Sequence, residues 1–316
     1  MTPHELTPAT EPTFYFVGMT TGQSSIMTVF PAWARHLGIS AKIRGIDCKW
    51  HDAPDVYRKV VDFLKQDALS LGALVTTHKL DLLKAARDRF EWLDPYAEQL
   101  EEVSSISKRD GQLRGHAKDP ISSGLSFEAV TTGEYWSRTG AEICLLGAGG
   151  SSLALTIYLM NQPAGVRPSK ILVTNRSEPR LNEMKAVHAK MDCPIPIEYS
   201  LCPTPDLNDN VVAKLKPGSM VINATGLGKD APGSPLTDAA IFPEQGIAWD
   251  FNYRGDLKFL DQAQAQKDAR DLRIKDGWVY FVHGWRCVIE EVFDLSIPAS
   301  GPEFNQLCDI AARARQ

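Results

Sequence analysis

Apolar runs of strand length alternate with helix-spaced stretches along most of this chain. The first is TFYFVG at 13 to 18, followed by SIMTVFPAWARHLG (25 to 38), AKIRGID (41 to 47), DVYRKVVDFLKQD (55 to 67) and GALVTT (72 to 77). Strand and helix in repeated alternation, with few hairpin signals, predict a mostly parallel sheet covered on both faces. One hairpin interrupts the pattern. EVSSISKRDGQLRGH (102 to 116) sets Asp110 and Gly111 between two short β-like runs, a pair that suits a tight turn.

A second block opens near Ile121 with a helical segment that ends near Gly140. It continues through EICLLGAGGSSLALTIYL (142 to 159), KILVTNRSEPRLNEMKAVHAKM (170 to 191), GSMVINATG (218 to 226) and GIAWDFNY (246 to 253). Each is an apolar strand running into a polar or glycine-bearing turn, and most lead into a helix, which is the doubly wound nucleotide-binding pattern. From Gly277 onward the pattern is helical again. The expected fold class is therefore α/β. Its expected divisions are a loose tail at 1–12, an α/β substrate domain at 13–120, a Rossmann-type domain at 121–276, and C-terminal helices at 277–316 returning to the first domain. The sequence has no internal repeat of fixed period and no low-complexity tract.

A length of 316 residues agrees with two domains, and 43% hydrophobic with 23% charged residues is a globular balance. A net charge of -5 without a basic run argues against a nucleic-acid partner. The six cysteines (48, 144, 193, 202, 287 and 308) have neither zinc-site pairing nor the density of a disulfide scaffold. The N-terminal stretch lacks the apolar segment of a secretory signal, and no apolar run is long enough to span a membrane, so a cytoplasmic location is expected. His78, His116 and His283 lack metal-ligand spacing; they are read as polar cleft residues, and no metal is expected.

Two stretches carry chemistry. In ICLLGAGGSS a strand ends in Gly147-x-Gly149-x-x-Ser152 and a helix follows at once. Gly147 allows the turn, Gly149 admits a pyrophosphate close to the backbone, Gly150 and Ser151 open the helix, and a small residue at 152 permits close packing. At the end of the next strand an NAD site would offer Asp or Glu, whereas this chain offers Asn175, Arg176, Ser177 and Arg180. Two guanidiniums there favour a 2′-phosphate and hence NADP, against the plainer reading of solvated arginines at a helix start. The other stretch is LGALVTTHKLDLL, where Lys79 stands at the changeover from strand to helix. A cation there opposes the helix dipole unless something compensates it.

Taken together, these motifs resemble the shikimate dehydrogenase family, which also includes quinate dehydrogenases, from about Phe14 to Asp294. The family's Asn-Val-Thr-x-Pro-x-Lys is matched by Leu74-Val75-Thr76-Thr77-His78-Lys79, one residue shorter and without the proline. Its Gly-Asp-Asn-Thr-Asp-Gly is matched by Gly115 to Pro120, and the glycine loop, NRS, INATGLG and WDFNY follow in family order. The resemblance implies that Lys79 and Asp119 form an acid/base pair at the substrate hydroxyl while NADPH delivers a hydride to the carbonyl carbon. An ammonium there would stabilise the charge that develops on oxygen and supply the proton. For Asp119 the competing reading is a helix cap, compatible with catalysis. By the same resemblance Ser24, Thr76 (or Thr77), Ser104, Tyr253 and Gly284 face the substrate, and Phe251 and Gly277 line the nicotinamide side. A tyrosine packed at a strand end is the plainer reading of Tyr253.

Departures from the pattern limit the substrate. Family positions that hold a serine, a proline, two asparagines and a glutamine carry Ile26, Met27, Leu74, Ser104 and Gly284 here. A pocket without those partners would desolvate substrate hydroxyls uncompensated. The expectation is a shikimate dehydrogenase-like oxidoreductase with altered recognition, acting on a compact hydroxy acid with fewer hydroxyls. A true shikimate or quinate dehydrogenase and an idle NADP-binding module are the alternatives. The partners considered are the small-molecule hydroxy or keto acid and a second copy of the chain in a homodimer, with no nucleic acid and no membrane.

Overall fold

A computed structural model describes residues 1–131 and 134–314. The chain forms two compact units, one of Met1–Lys118 with Val282–Gln316 and one of Asp119–Phe281. The first boundary falls at 118 rather than 120 because the helix Asp119–Val130 starts with its aspartate. The second falls at 281 rather than 276 because the helix Trp278–Phe293 runs through that stretch without a break.

In the first unit the strands are β1 (Thr13–Gly18), β2 (Lys42–Asp47), β3 (Ser70–Val75), β4 (Trp92–Leu93), β5 (Ser105–Arg109) and β6 (Gln112–His116), in the order β2-β1-β3-β5-β6-β4. β1 runs parallel to both its neighbours and all six of its residues are buried, as a run of apolar residues in mid-sheet requires. β2, at the edge, is largely half-buried. β5 and β6 form the hairpin, and Asp110 (φ 53) and Gly111 (φ 73) both take the left-handed conformation that matches the twist of the flanking strands. The C-terminal segment shares this core. Trp285 meets the rings of Phe14 and Phe16, and the Trp33 indole donates to the Leu307 carbonyl at 2.9 Å.

Residues 1–12 were expected as a loose tail, yet they are tied down. The Met1 ammonium donates to Gly45 O at 3.0 Å, Asp47 N–H donates to Met1 O at 2.8 Å, and the buried Ala9 N–H donates to Asp67 Oδ2 at 3.0 Å. The first two bonds satisfy backbone groups of β2 that an edge strand leaves open.

In the second unit six parallel strands stand in the order β12-β11-β10-β7-β8-β9, where β7 is Ile143–Leu146, β8 Ile171–Asn175, β9 Ile197–Leu201, β10 Met220–Asn223, β11 Ile247–Asp250 and β12 Arg273–Lys275. The order reverses at β7, which makes a switch point where the carboxyl ends of β7 and β10 diverge. Alternate residues feed two cores. Ile143, Leu145, Val173, Ile222 and Trp249 pack with Phe127 and Trp136 on one face, and Cys144, Leu146, Val221 and Ala248 pack with Phe242 and Phe259 on the other. Burial on both faces is what the continuous apolar runs require.

Candidate active site

In the first unit the helix Lys79–Ala86 begins four residues after β3. Its start is held from both sides of the sheet. Thr76 N–H donates to Val17 O at 3.0 Å, Val75 N–H to Ser104 O at 2.9 Å, Lys79 N–H to Thr76 O at 3.1 Å and Val103 N–H to Lys79 O at 3.3 Å. The neighbouring Ser104 serves the other segment: its N–H donates to His116 O at 2.9 Å, and its hydroxyl accepts from Lys118 N–H at 2.7 Å. Val103 and Ser104 thus join the backbone of Lys79 to that of Lys118, the residue immediately before Asp119. Asp94 adds a bond from Ala117 N–H to its Oδ1 at 3.2 Å.

The Lys118 side chain is anchored too. Its Nζ meets Glu291 Oε2 at 2.6 Å, and the same carboxylate lies 3.1 Å from Arg109 and 3.5 Å from His116. Burial would raise the Glu291 pKa, but the hydrogen bond from Lys118 and the surrounding positive charges outweigh it and the pKa is lowered. Lys79 and Asp119 are each half-buried.

Other residues expected at the substrate are dispersed within their units. Ser24 is half-buried at the end of a short 3-10 turn, while Ile26 is fully buried and turned into the core. Thr76 is half-buried and its methyl group lies 3.0 Å from where a Gly18 Cβ would stand, whereas Thr77 is exposed. Ser104 is 2% exposed and its hydroxyl is engaged in the fold. A side chain at Gly284 would meet nothing within 4 Å, so the helix surface there is open. Tyr253 is half-buried against Phe281 and Trp278, with ring centroids 4.6 and 5.7 Å away.

The histidines differ from the polar cleft residues expected: His78, His116 and His283 are 1%, 3% and 1% exposed. Burial lowers the pKa of His78 and pushes those of His116 and His283 down to about 4, so all three are neutral near pH 7. His78 caps the Lys79 helix with its Nδ1 3.0 Å from the Tyr57 hydroxyl. His116 meets Ser107 Oγ at 2.9 Å, and His283 stacks on Phe304 at 4.3 Å. Among the described residues no group of three His, Cys, Asp or Glu could hold a metal ion.

The second unit carries the glycine loop at the end of β7. Gly147 has φ 110, and a Cβ on it would stand 3.1 Å from Ala224 O, so both its conformation and its packing call for glycine. Gly149 caps the helix Gly150–Met160, and side chains at Gly149 or Gly150 would meet nothing within 4 Å. An open surface at the unpaired N–H groups of an eleven-residue helix fits a pyrophosphate in shape and charge. Ser151 is half-buried in the first turn, and Ser152 is fully buried with its hydroxyl donating to Gly147 O at 2.6 Å.

At the end of β8 the expected cofactor residues divide. Asn175 is occupied by the protein: its Oδ1 accepts from Ala148 N–H at 3.3 Å and its Nδ2 donates to Ser177 O at 2.9 Å, tying the glycine loop to the next turn. Arg176 is exposed, Ser177 caps the helix Glu178–His188 without a side-chain hydrogen bond, and Arg180 is exposed and paired with Glu183. Phe251 is half-buried against Trp249 and Tyr280, both at 4.8 Å. A Cβ at Gly277 would stand 2.1 Å from Phe251 O, which only glycine tolerates.

Comparison with known proteins follows the same lines. No family model matches the chain. It is 28% identical over 199 residues to shikimate dehydrogenase (NADP(+)) of Thermus thermophilus, spanning 63% of this chain and 64% of that protein. With shikimate dehydrogenase (NADP(+)) of Methylocella silvestris it shares 22% identity over 275 residues, 87% of this chain and 88% of the relative. The solved structure of quinate dehydrogenase from Corynebacterium glutamicum in complex with NAD superposes with a TM-score of 0.74 at 17% identity, covering 96% of this chain and 99% of that one. The chain is similar in sequence to shikimate dehydrogenases over about two thirds of its length or more. Its similarity to the Thermus protein spans less than two thirds of that relative's length, and the structural neighbour bears on the fold alone.

One set of polar residues in this chain escaped the sequence reading. Asn223, Asp250 and Asn252 are 0%, 0% and 3% exposed and bond to one another at the ends of β10 and β11. Their signal was present as polar letters closing two apolar runs, INATG and WDFNY, but such letters read as ordinary turn residues.

Proposed function

We propose that the protein is an NADP-dependent oxidoreductase that interconverts a hydroxy acid and its keto form by hydride transfer, with substrate recognition that departs from shikimate and quinate. The observation that carries this reading is the hydrogen-bonded bridge through Val103 and Ser104, which brings the backbone of Lys79 to that of Lys118, next to Asp119, in a chain that also bears a glycine loop fit for a dinucleotide.

In this reading NADPH, when bound, supplies the hydride that reduces the carbonyl carbon. Lys79 Nζ donates a proton to the carbonyl oxygen as the C=O becomes CH–OH, and it accepts that proton in the oxidative direction. Asp119 favours the charged form of the lysine and orients it. The N–H groups at Gly149, Gly150 and Ser151 hold the pyrophosphate, and Arg176, assisted by Ser177 and Arg180, binds the 2′-phosphate. Absence of an acidic residue at the end of β8 supports NADP over NAD, and the Thermus relative is named for NADP(+). Ser24, Thr76 and Tyr253 contact the substrate. The burial of Ile26 and the open surface at Gly284 support altered recognition, since neither supplies a hydrogen bond. Among the described residues no helix is long and apolar enough to cross a membrane, and we place the enzyme in the cytoplasm, as a monomer or homodimer.

Initial rates with NADP and a panel of hydroxy acids, for wild type and Lys79→Ala, test the reading. Turnover of a compact hydroxy acid that Lys79→Ala abolishes is the expected result. Rapid oxidation of shikimate would remove the altered-specificity claim, and no turnover on any acid would favour the idle module.

A further inference from the structure

The carboxyl ends of β10 and β11 close on a polar network that neither the acid/base pair nor the phosphate site uses. Asp250 Oδ1 accepts from Asn252 N–H at 2.8 Å, and its Oδ2 accepts from Asn223 Nδ2 at 3.1 Å. Asn223 Oδ1 accepts from Thr225 N–H at 3.1 Å and from the Thr225 hydroxyl at 2.7 Å. Asn252 Nδ2 donates to Thr225 O at 3.0 Å and to Leu227 O at 3.1 Å, and Leu227 N–H returns to Thr225 Oγ1 at 3.2 Å. One buried carboxyl and two amides thus knit the turn after β10 to the turn after β11.

Both turns abut the cofactor surface. The Thr225 methyl and the Ala224 carbonyl lie 3.0 and 3.1 Å from where a Gly147 Cβ would stand, so the first turn forms one wall of the glycine loop. The second turn carries Phe251, and its Asn252 carbonyl accepts from Gly277 N–H at 3.0 Å. Sheet order assigns the halves of a dinucleotide. With the pyrophosphate at the end of β7 and the 2′-phosphate arginine after β8, the adenosine half lies on the β8 side, which leaves the β10 and β11 side for the nicotinamide half.

We infer that Asp250 is a positioning residue, which through Asn223 and Asn252 fixes the two turns that receive the nicotinamide half of the cofactor. The inference rests on the cofactor reading above. Burial without exposure is costly for a carboxyl, and it is retained here with its oxygens satisfied by donors from both turns.

The test compares two probes on the intact protein: NADPH, followed by its nicotinamide fluorescence, and 2′-phospho-ADP-ribose, which lacks the nicotinamide, followed by calorimetry. Asp250→Asn places a donor against Asn252 N–H or Asn223 Nδ2, and Thr225→Val, at a half-buried site, removes one hydroxyl while keeping shape. Each is expected to weaken NADPH about tenfold and to shift its bound emission, while 2′-phospho-ADP-ribose binds as to wild type. Equal losses for both probes, or unchanged NADPH binding and emission in a folded Thr225→Val, would overturn the inference. Failure of wild type to bind either probe would overturn the cofactor reading itself and this inference with it.

Discussion

Acid should destabilise the second unit through His188, and the structure sets the size of the effect. The Thr156 hydroxyl gives its single proton to Leu153 O at 2.8 Å, so its contact with His188 Nε2, also 2.8 Å, requires the ring to donate there. Nδ1 is then the bare nitrogen that accepts from the Tyr199 hydroxyl. Protonation of Nδ1 reverses that bond, leaving the Tyr199 proton to find another acceptor, and buries a charge, and burial pushes the His188 pKa down from 6.5 to about 4. A depressed histidine contributes stability that is complete above the unfolded pKa and is lost as pH falls towards the folded one. Between pH 7.5 and 5 the unfolded chain takes up a proton that the native ring refuses, a loss of about 2 kcal/mol from this residue. Asp250 works in the opposite sense, because burial raises its pKa to about 6 and its contribution fades as pH rises through that value. The comparison of wild type with His188→Gln cancels it. Urea unfolding at both pH values should give a pH-dependent loss smaller in the variant by about 2 kcal/mol. Equal losses in the two proteins would refute the assigned protonation state.

Three further substitutions separate sterics, conformation and charge. Gly277→Ala puts a methyl against the Phe251 backbone and should cost about 1–3 kcal/mol in urea unfolding. Gly111→Val has open space around it, so any loss reflects φ 73 alone, about 1–2 kcal/mol by the same assay. Arg176→Ala should weaken NADP binding about tenfold and leave NAD unchanged in a calorimetric titration; an unaltered preference would remove the 2′-phosphate assignment.

Much of the fold was legible because its signals are local. Asp110 and Gly111 announce a hairpin since few other pairs accept two positive φ values, and the glycine loop announces itself because one residue, Gly147, needs both a left-handed backbone and no side chain. Continuous apolar runs marked the central strands. The edge strands β9 and β12 are half-exposed, β12 has three residues and β4 two, and none carries a period that stands out from a loop. Pairings over long chain separations were hidden for another reason. Lys118 with Glu291 and Asn223 with Asp250 are each ordinary letters until the fold brings their partners within hydrogen-bond distance. His116 and His283 were misread as cleft residues because a buried neutral imidazole and an exposed one leave the same mark in a sequence.

The most direct test of the proposed chemistry is a crystal structure with NADP and a substrate that the enzyme turns over. The account predicts Lys79 Nζ within hydrogen-bond distance of the reacting oxygen, Asp119 beside it, and the nicotinamide ring against the substrate carbon. A substrate bound with its reacting oxygen away from Lys79, or a coenzyme whose ring points elsewhere, would contradict it.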